Sequence, residues 1–120
     1  CLTDSKRGHF YFQDEVRQFV DSLTELPEGF VCANDVTAYT VISCLRERGL
    51  SVPEDLAVSG YDNIKASILT ASELTTVAVE TADLGKRLAQ QLLRQLESPI
   101  SFHEVVYIQP QVIYKRSTEF

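Results

Sequence analysis

Two polar pairs carry the chemistry this chain can offer. Asn34-Asp35 follows the apolar run from Gly29 to Ala33, and Asp62-Asn63 follows the run from Leu56 to Gly60. A carboxylate just past a buried strand is costly unless it is paired or hydrated. Asp62 can accept two hydroxyl hydrogen bonds at once, as recognition of a sugar or nucleoside requires. It can equally bond its own backbone and stabilise a turn. Both roles are open, and Asn63 is the better turn residue. The Asn34 amide donates and accepts, so it suits a ligand hydroxyl. Asn34 and Asp35 are also both good caps for the helix that follows. The division of labour expected is Asp35 capping and Asn34 facing a cleft.

Other chemistries find no residues in the pattern they need. Neither a G-x-G-x-x-G run nor Walker spacing occurs. Ser43, Ser59 and Ser72 have no His partner with an orienting acid. Asp35 and Asp62 could form an acid/base pair, but capping and ligand binding account for them more simply. His103 has no Cys, Asp or second His at ligand spacing, so it reads as a surface residue rather than a metal ligand. Cys1, Cys32 and Cys44 lack metal-type spacing too. Cys32 ends a strand and Cys44 lies within a helix, which suits buried free thiols and a reducing cytoplasm. No catalytic residue, metal or cofactor is expected, and so no enzyme.

The bulk properties agree. A chain of 120 residues can bury one modest core. A net charge of -6 leaves no basic footprint for nucleic acid. No apolar run approaches membrane-spanning length. The chain begins at Cys1, without an initiator Met or a signal peptide, and reads as a fragment of a longer protein.

The elements that must position the two pairs follow from periodicity. Residues 13–26 show apolar Val16, Phe19, Val20 and Leu23 at helical spacing. Ahead of them, the aromatics Phe10, Tyr11 and Phe12 read as a strand end or loop lip, covering the core. Phe30-Val31-Cys32 is a strand. Helix 35–48 presents Val36, Tyr39, Ile42 and Leu45, and Gly49 stops it. Arg46, Glu47 and Arg48 read as its solvated end. After Val52-Pro53-Glu54-Asp55 comes the strand Leu56 to Gly60. Strand, crossover helix and strand should be parallel. Both polar pairs then lie past carboxyl ends of strands, where open α/β sheets bind ligands.

Beyond residue 64, Ile68-Leu69 is an apolar pair in a polar loop and could simply fill a gap. A strand is expected at 74–79, and a helix at 81–97 with Leu84, Leu88 and Leu92 on one face, widened by Ala89, Leu93 and Leu96. Thr81 is its expected N-cap and Ser98-Pro99 its stop. Strands are expected at 103–108 and 112–114, on either side of Pro110.

The chain resembles the lactose-repressor/galactose-repressor family of bacterial transcription regulators. The residues that carry the likeness are Asn34-Asp35 opening a helix, Gly49-Leu50, Val52-Pro53-Glu54-Asp55, Val58 and Gly60-Tyr61-Asp62-Asn63. Leu74-Thr75-Thr76-Val77, Leu84-Gly85 and Lys115-Arg116-Ser117-Thr118 fall where the family has later signatures. No single motif is specific; their order and spacing along nearly the whole chain is.

The resemblance implies an α/β fold, part of a periplasmic-binding-protein-like, parallel-sheet, Rossmann-like effector-binding domain. It implies the C-terminal part of two lobes, with residues 1–78 and 111–120 mainly in one and 81–109 in the other, and the DNA-binding segment absent. It places Asn34, Asp62 and Phe10 on the effector, and Tyr39, Ile68 and Leu69 at a twofold dimer interface. For Phe10, Tyr39 and the Ile68-Leu69 pair, core packing is the competing role. The function implied is ligand sensing in a cytoplasmic repressor-type regulator. A small polyhydroxylated effector, a sugar, would bind between the lobes and alter a homodimer's grip on operator DNA, through a helix-turn-helix outside this chain and with no membrane partner. The alternative is a periplasmic sugar receptor of a transport system.

Overall fold

Helix α1 (His9–Ser22) leads into β1 (Gly29–Val31), α2 (Asp35–Glu47) and β2 (Ala57–Ser59); β3 (Thr76–Ala78), α3 (Thr81–Glu97), β4 (Gln111–Ile113) and a 3-10 turn (Arg116–Thr118) follow. The computed structural model describes residues 9–64, 73–98 and 104–119, residues 9–12 as backbone only.

The expected strand–helix–strand unit is present. β1 and β2 pair in parallel, Gly29 opposite Ala57 and Val31 opposite Ser59. Parallel bridges Ser59–Thr75 and Asp62–Ala78 add β3 beside β2. β4 runs antiparallel to β3, Thr76 opposite Ile113. The core is built from Val20 of α1, Ala38, Val41, Ile42, Cys44 and Leu45 of α2, and Cys32, Leu56, Val58 and Leu74 of the sheet side.

α2 ends as Gly49 suggested. Gly49 takes φ +77, its N–H reaches the Arg46 carbonyl at 2.9 Å, and the Leu50 N–H reaches Leu45 at 2.9 Å. This crossed pair satisfies end-of-helix carbonyls and needs a left-handed residue between them. The buried face of α2 differs from the expected stripe. Ala38, Val41, Ile42 and Leu45 face the core, while Val36 and Tyr39 are only half-buried. A strict spacing of three drifts off a helix of 3.6 residues per turn; spacings of three and four hold the face.

α1 starts and ends four residues before the expected 13–26. Phe10 therefore lies in its first turn, not on a loop ahead of it. Phe19 is exposed: α1 packs mainly on α2, which it meets through buried Val20 and half-buried Val16, with half-buried Leu23 just past its end. Arg48 is not merely a solvated end: it donates to the carbonyls of Val20 and Leu23, at 2.6 and 3.2 Å. An Arg17–Glu47 ion pair ties the same two helices.

The Lys115-Arg116-Ser117-Thr118 signature is a clasp. The Ser117 hydroxyl donates to the Val58 carbonyl at 2.6 Å and accepts from the Thr75 N–H at 2.8 Å. Thr75 Oγ1 accepts from the Lys115 N–H at 2.8 Å. Arg116 meets Glu54 at 3.1 Å and Glu73 at 3.7 Å.

α3 occupies the span expected of it, although Thr81 is its first residue and Glu80 stands at the cap position without a side-chain cap bond. None of its residues is buried. Residues 104–108 form no strand, contrary to expectation, and His103 lies outside the described residues. No described strand lies beside that segment, and an extended chain without a ladder partner makes no sheet.

Candidate functional site

The parallel pairing of β1 and β2 brings both polar pairs to one edge. The Asp35 N–H donates to the Tyr61 carbonyl at 2.9 Å, so the first residue of α2 is bonded to the loop after β2.

Asn34, not Asp35, is the cap, contrary to the division of labour expected of the first pair. Its Oδ1 accepts from the Thr37 N–H at 2.8 Å, with Asn34 itself in extended backbone. Asp35 is only 1% exposed and turns inward. Its Oδ1 accepts from the Thr76 hydroxyl at 2.6 Å and its Oδ2 from the Ile64 N–H at 2.9 Å. A buried carboxylate persists where hydrogen bonds replace its water, and the positive end of a helix favours it further. Asn34 is half-buried, and its amide nitrogen has no bond to a described residue, so it keeps donors for another partner.

Asp62 is exposed, and its carboxylate bonds no described residue. Its N–H donates to the Val77 carbonyl at 3.0 Å, which fixes the backbone and leaves the side chain out. Asp62 and Asn63 take φ +98 and +49, conformations that side chains ordinarily avoid. The Asn63 N–H is held by Thr76 Oγ1 at 3.2 Å.

Gly60 makes this edge possible. A Cβ there would lie 3.1 Å from the Asp35 Cα and from Leu74 Cδ2, and would collide with the Asp35 carboxylate. Thr76 and Gly60 were not singled out as site residues in the sequence. The signal for Thr76 was two hydroxyls in succession in a strand otherwise apolar; for Gly60 it was a glycine closing a buried strand beside a polar turn.

Tyr39 is half-buried against the core and lines a groove between α1 and α2 with Arg17, Thr40, Ser43 and Ile64. Burial, and after it the Asp35 charge, raises its phenol above the ordinary tyrosine value. The Phe10 side chain, and Ile68 and Leu69 entirely, lie outside the described atoms. Among the described residues no His, Cys, Asp or Glu cluster could hold a metal, and no helix is long and apolar enough to cross a membrane.

Residues 3–118 match the periplasmic binding protein-like domain family. The HTH-type transcriptional repressor PurR of Histophilus somni (strain 129Pt) is 36% identical over 95 residues, 79% of this chain and 28% of that protein. The arabinose metabolism transcriptional repressor of Geobacillus stearothermophilus is 32% identical over 97 residues, 79% of this chain and 26% of that protein. Among solved structures, a LacI family transcriptional regulator from Enterococcus faecium with bound ribose superposes with a TM-score of 0.74 at 29% identity, covering 88% of this chain and 40% of that one. The chain thus spans between a quarter and a third of the length of these curated relatives. The fold, the matched span and these likenesses agree: the chain belongs to the periplasmic binding protein-like domain family, as part of an effector-binding domain of the lactose-repressor/galactose-repressor type.

Proposed function

We propose that this chain is the ligand-sensing part of a cytoplasmic transcription regulator and takes a small polyhydroxylated effector, a sugar, at the carboxyl edge of its sheet. The observation that carries the reading is Asp62: an exposed carboxylate, bonded to no described residue, held at φ +98 beside the end of β2. Strained backbone of this kind persists where the surroundings over-determine it, and it concentrates at ligand sites. Asn34 adds amide donors from the neighbouring strand end, and Phe10 an aromatic face. The Enterococcus relative with bound ribose and the Geobacillus arabinose repressor favour a sugar over other small polar ligands.

The effector lies between this lobe and a second one, to which residues 81–109 belong. Tyr39, Ile68 and Leu69 form a twofold interface, and operator DNA is gripped by a helix-turn-helix outside residues 1–120. Isothermal titration of the full-length protein with D-ribose, L-arabinose and lactose tests the site. One of these should bind, and Asp62→Ala should weaken it by about 1 to 3 kcal/mol, the range for a lost charged hydrogen bond. Unchanged affinity in a folded variant takes Asp62 out of the site, and binding of none overturns the sugar assignment.

A further inference from the structure

Asp62 and Asn63 sit consecutively in left-handed backbone, and neither is glycine. Such a pair needs something to hold it. Four bonds do. The Tyr61 carbonyl accepts from the Asp35 N–H at 2.9 Å, and the Asp62 N–H reaches Val77 at 3.0 Å. The Asn63 N–H donates to Thr76 Oγ1 at 3.2 Å, and the Ile64 N–H to Asp35 Oδ2 at 2.9 Å. Thr76 Oγ1 in turn donates to the other Asp35 oxygen at 2.6 Å. One hydroxyl and one carboxylate thus grip the backbone on the far side of Asp62, while the Asp35 N–H grips the near side. The Asp62 carboxylate bonds none of the described residues.

Capping does not explain this arrangement, because Asn34 already caps α2. Nor does the core need it: Asp35 and Thr76 are buried polar groups at 1% and 2% exposure, in positions an apolar pair of similar size would fill at no desolvation cost. What the pair does supply is a rigid frame for the two strained residues.

We infer that Asp35 and Thr76 are positioning residues, a buried clamp that holds the Tyr61–Ile64 loop in the one conformation that presents the Asp62 carboxylate. The inference rests on Asp62 being the effector-facing group. Each Asp35 oxygen takes one bond, and the Thr76 hydroxyl accepts from the loop while donating to Asp35, so the two side chains act as one unit.

Hydrogen-exchange mass spectrometry of the full chain without ligand tests the clamp. Thr76→Val keeps the side chain's shape and removes the hydroxyl. It should speed exchange in peptides covering Tyr61–Ile64 by about tenfold, as loss of a hydrogen bond to a charged group allows, with Val41–Leu45 unchanged. Thr76→Ser should restore slow exchange. Asp35→Asn should speed the loop likewise, since it puts a donor against either Ile64 N–H or the hydroxyl; if it loosens α2 as well, the Thr76 pair decides alone. Unchanged loop exchange in Thr76→Val, or Ser failing to rescue it, overturns the clamp. Asp62→Ala should leave the loop protected. A missing sugar response therefore removes the effector reading and leaves the clamp standing, while a loop that ignores Thr76 removes the clamp and leaves the titration intact.

Discussion

The Arg48 guanidinium, just past α2, donates to the carbonyl oxygen of Val20, near the end of α1, at 2.6 Å. A second bond reaches the Leu23 carbonyl at 3.2 Å. Val20 lies in the last turn of α1 and Leu23 just past it, where carbonyls run short of helical N–H partners and a positive charge meets the negative end of the dipole. The Val20 carbonyl otherwise has only a long bond, 3.3 Å, from the Leu23 N–H. One side chain therefore closes α1 and fastens it to α2.

Arg48→Met should destabilise the fold by about 1 kcal/mol, because it keeps the aliphatic stem and loses bonds that are partly open to water. Arg46→Met, one turn-step away and exposed without such bonds, should change stability by less than about 0.5 kcal/mol. Urea midpoints of the two variants separate them; equal midpoints mean that the Arg48 bonds contribute nothing.

Cys32 follows β1 directly and sits among core residues, and burial pushes its thiol up to about 11 from a reference of 9.0. The folded chain therefore keeps this proton more tightly than the unfolded chain does. Stability from the group is complete below pH 9 and is lost as pH rises toward 11. The loss amounts to roughly 2 to 3 kcal/mol across the window, at about 1.4 kcal/mol per pKa unit. Cys32→Ala should flatten that part of the pH–stability curve. An identical alkaline slope in the variant assigns the loss to other groups.

Much of this fold was written in local pattern. α3 has the apolar spacing of a helix and a stop at Ser98-Pro99, and the structure ends it at Glu97. Gly49 and the parallel β1–α2–β2 unit followed from turn chemistry and the crossover rule. What sequence could not show was decided at a distance. Asn34 and Asp35 are equally good caps in isolation; Thr76, 41 residues on, draws Asp35 inward and leaves the cap to Asn34. Arg48 looked solvated because its acceptors lie 28 and 25 residues back. The 104–108 segment has strand-forming residues, but a strand needs a neighbour. Asp62 was legible as a carboxylate past a strand end, and its backbone strain was not.

The twofold interface proposed for Tyr39, Ile68 and Leu69 has its own test. Tyr39 also rests on the core, so its replacement would mix packing with assembly. Leu69→Asp is the cleaner probe, since an isologous contact would bring two like charges together across the axis. Sedimentation of the full-length protein should shift toward the monomer mass. A dimer of unchanged strength excludes Leu69 from the contact.

α3 carries the last expectation. Leu84 and Leu88 are 48% and 67% exposed, and Leu92 and Leu96 60% and 71%. Burying a leucine is worth roughly 1.5 to 3 kcal/mol relative to leaving it in water. Four on one face are a strong drive toward any apolar partner, and a stripe this long marks an interaction surface. In the two-lobe arrangement proposed above, that partner is the opposite lobe. The 120-residue chain alone should therefore self-associate through α3, with a light-scattering mass that climbs with concentration. Leu88→Lys with Leu92→Lys should abolish the climb and leave the urea midpoint almost unchanged, because neither side chain is in the core. The opposite pattern is equally readable. A monomer at every concentration, with slow amide exchange along α3, means that the helix folds back on its own lobe and that residues 81–109 do not belong to another.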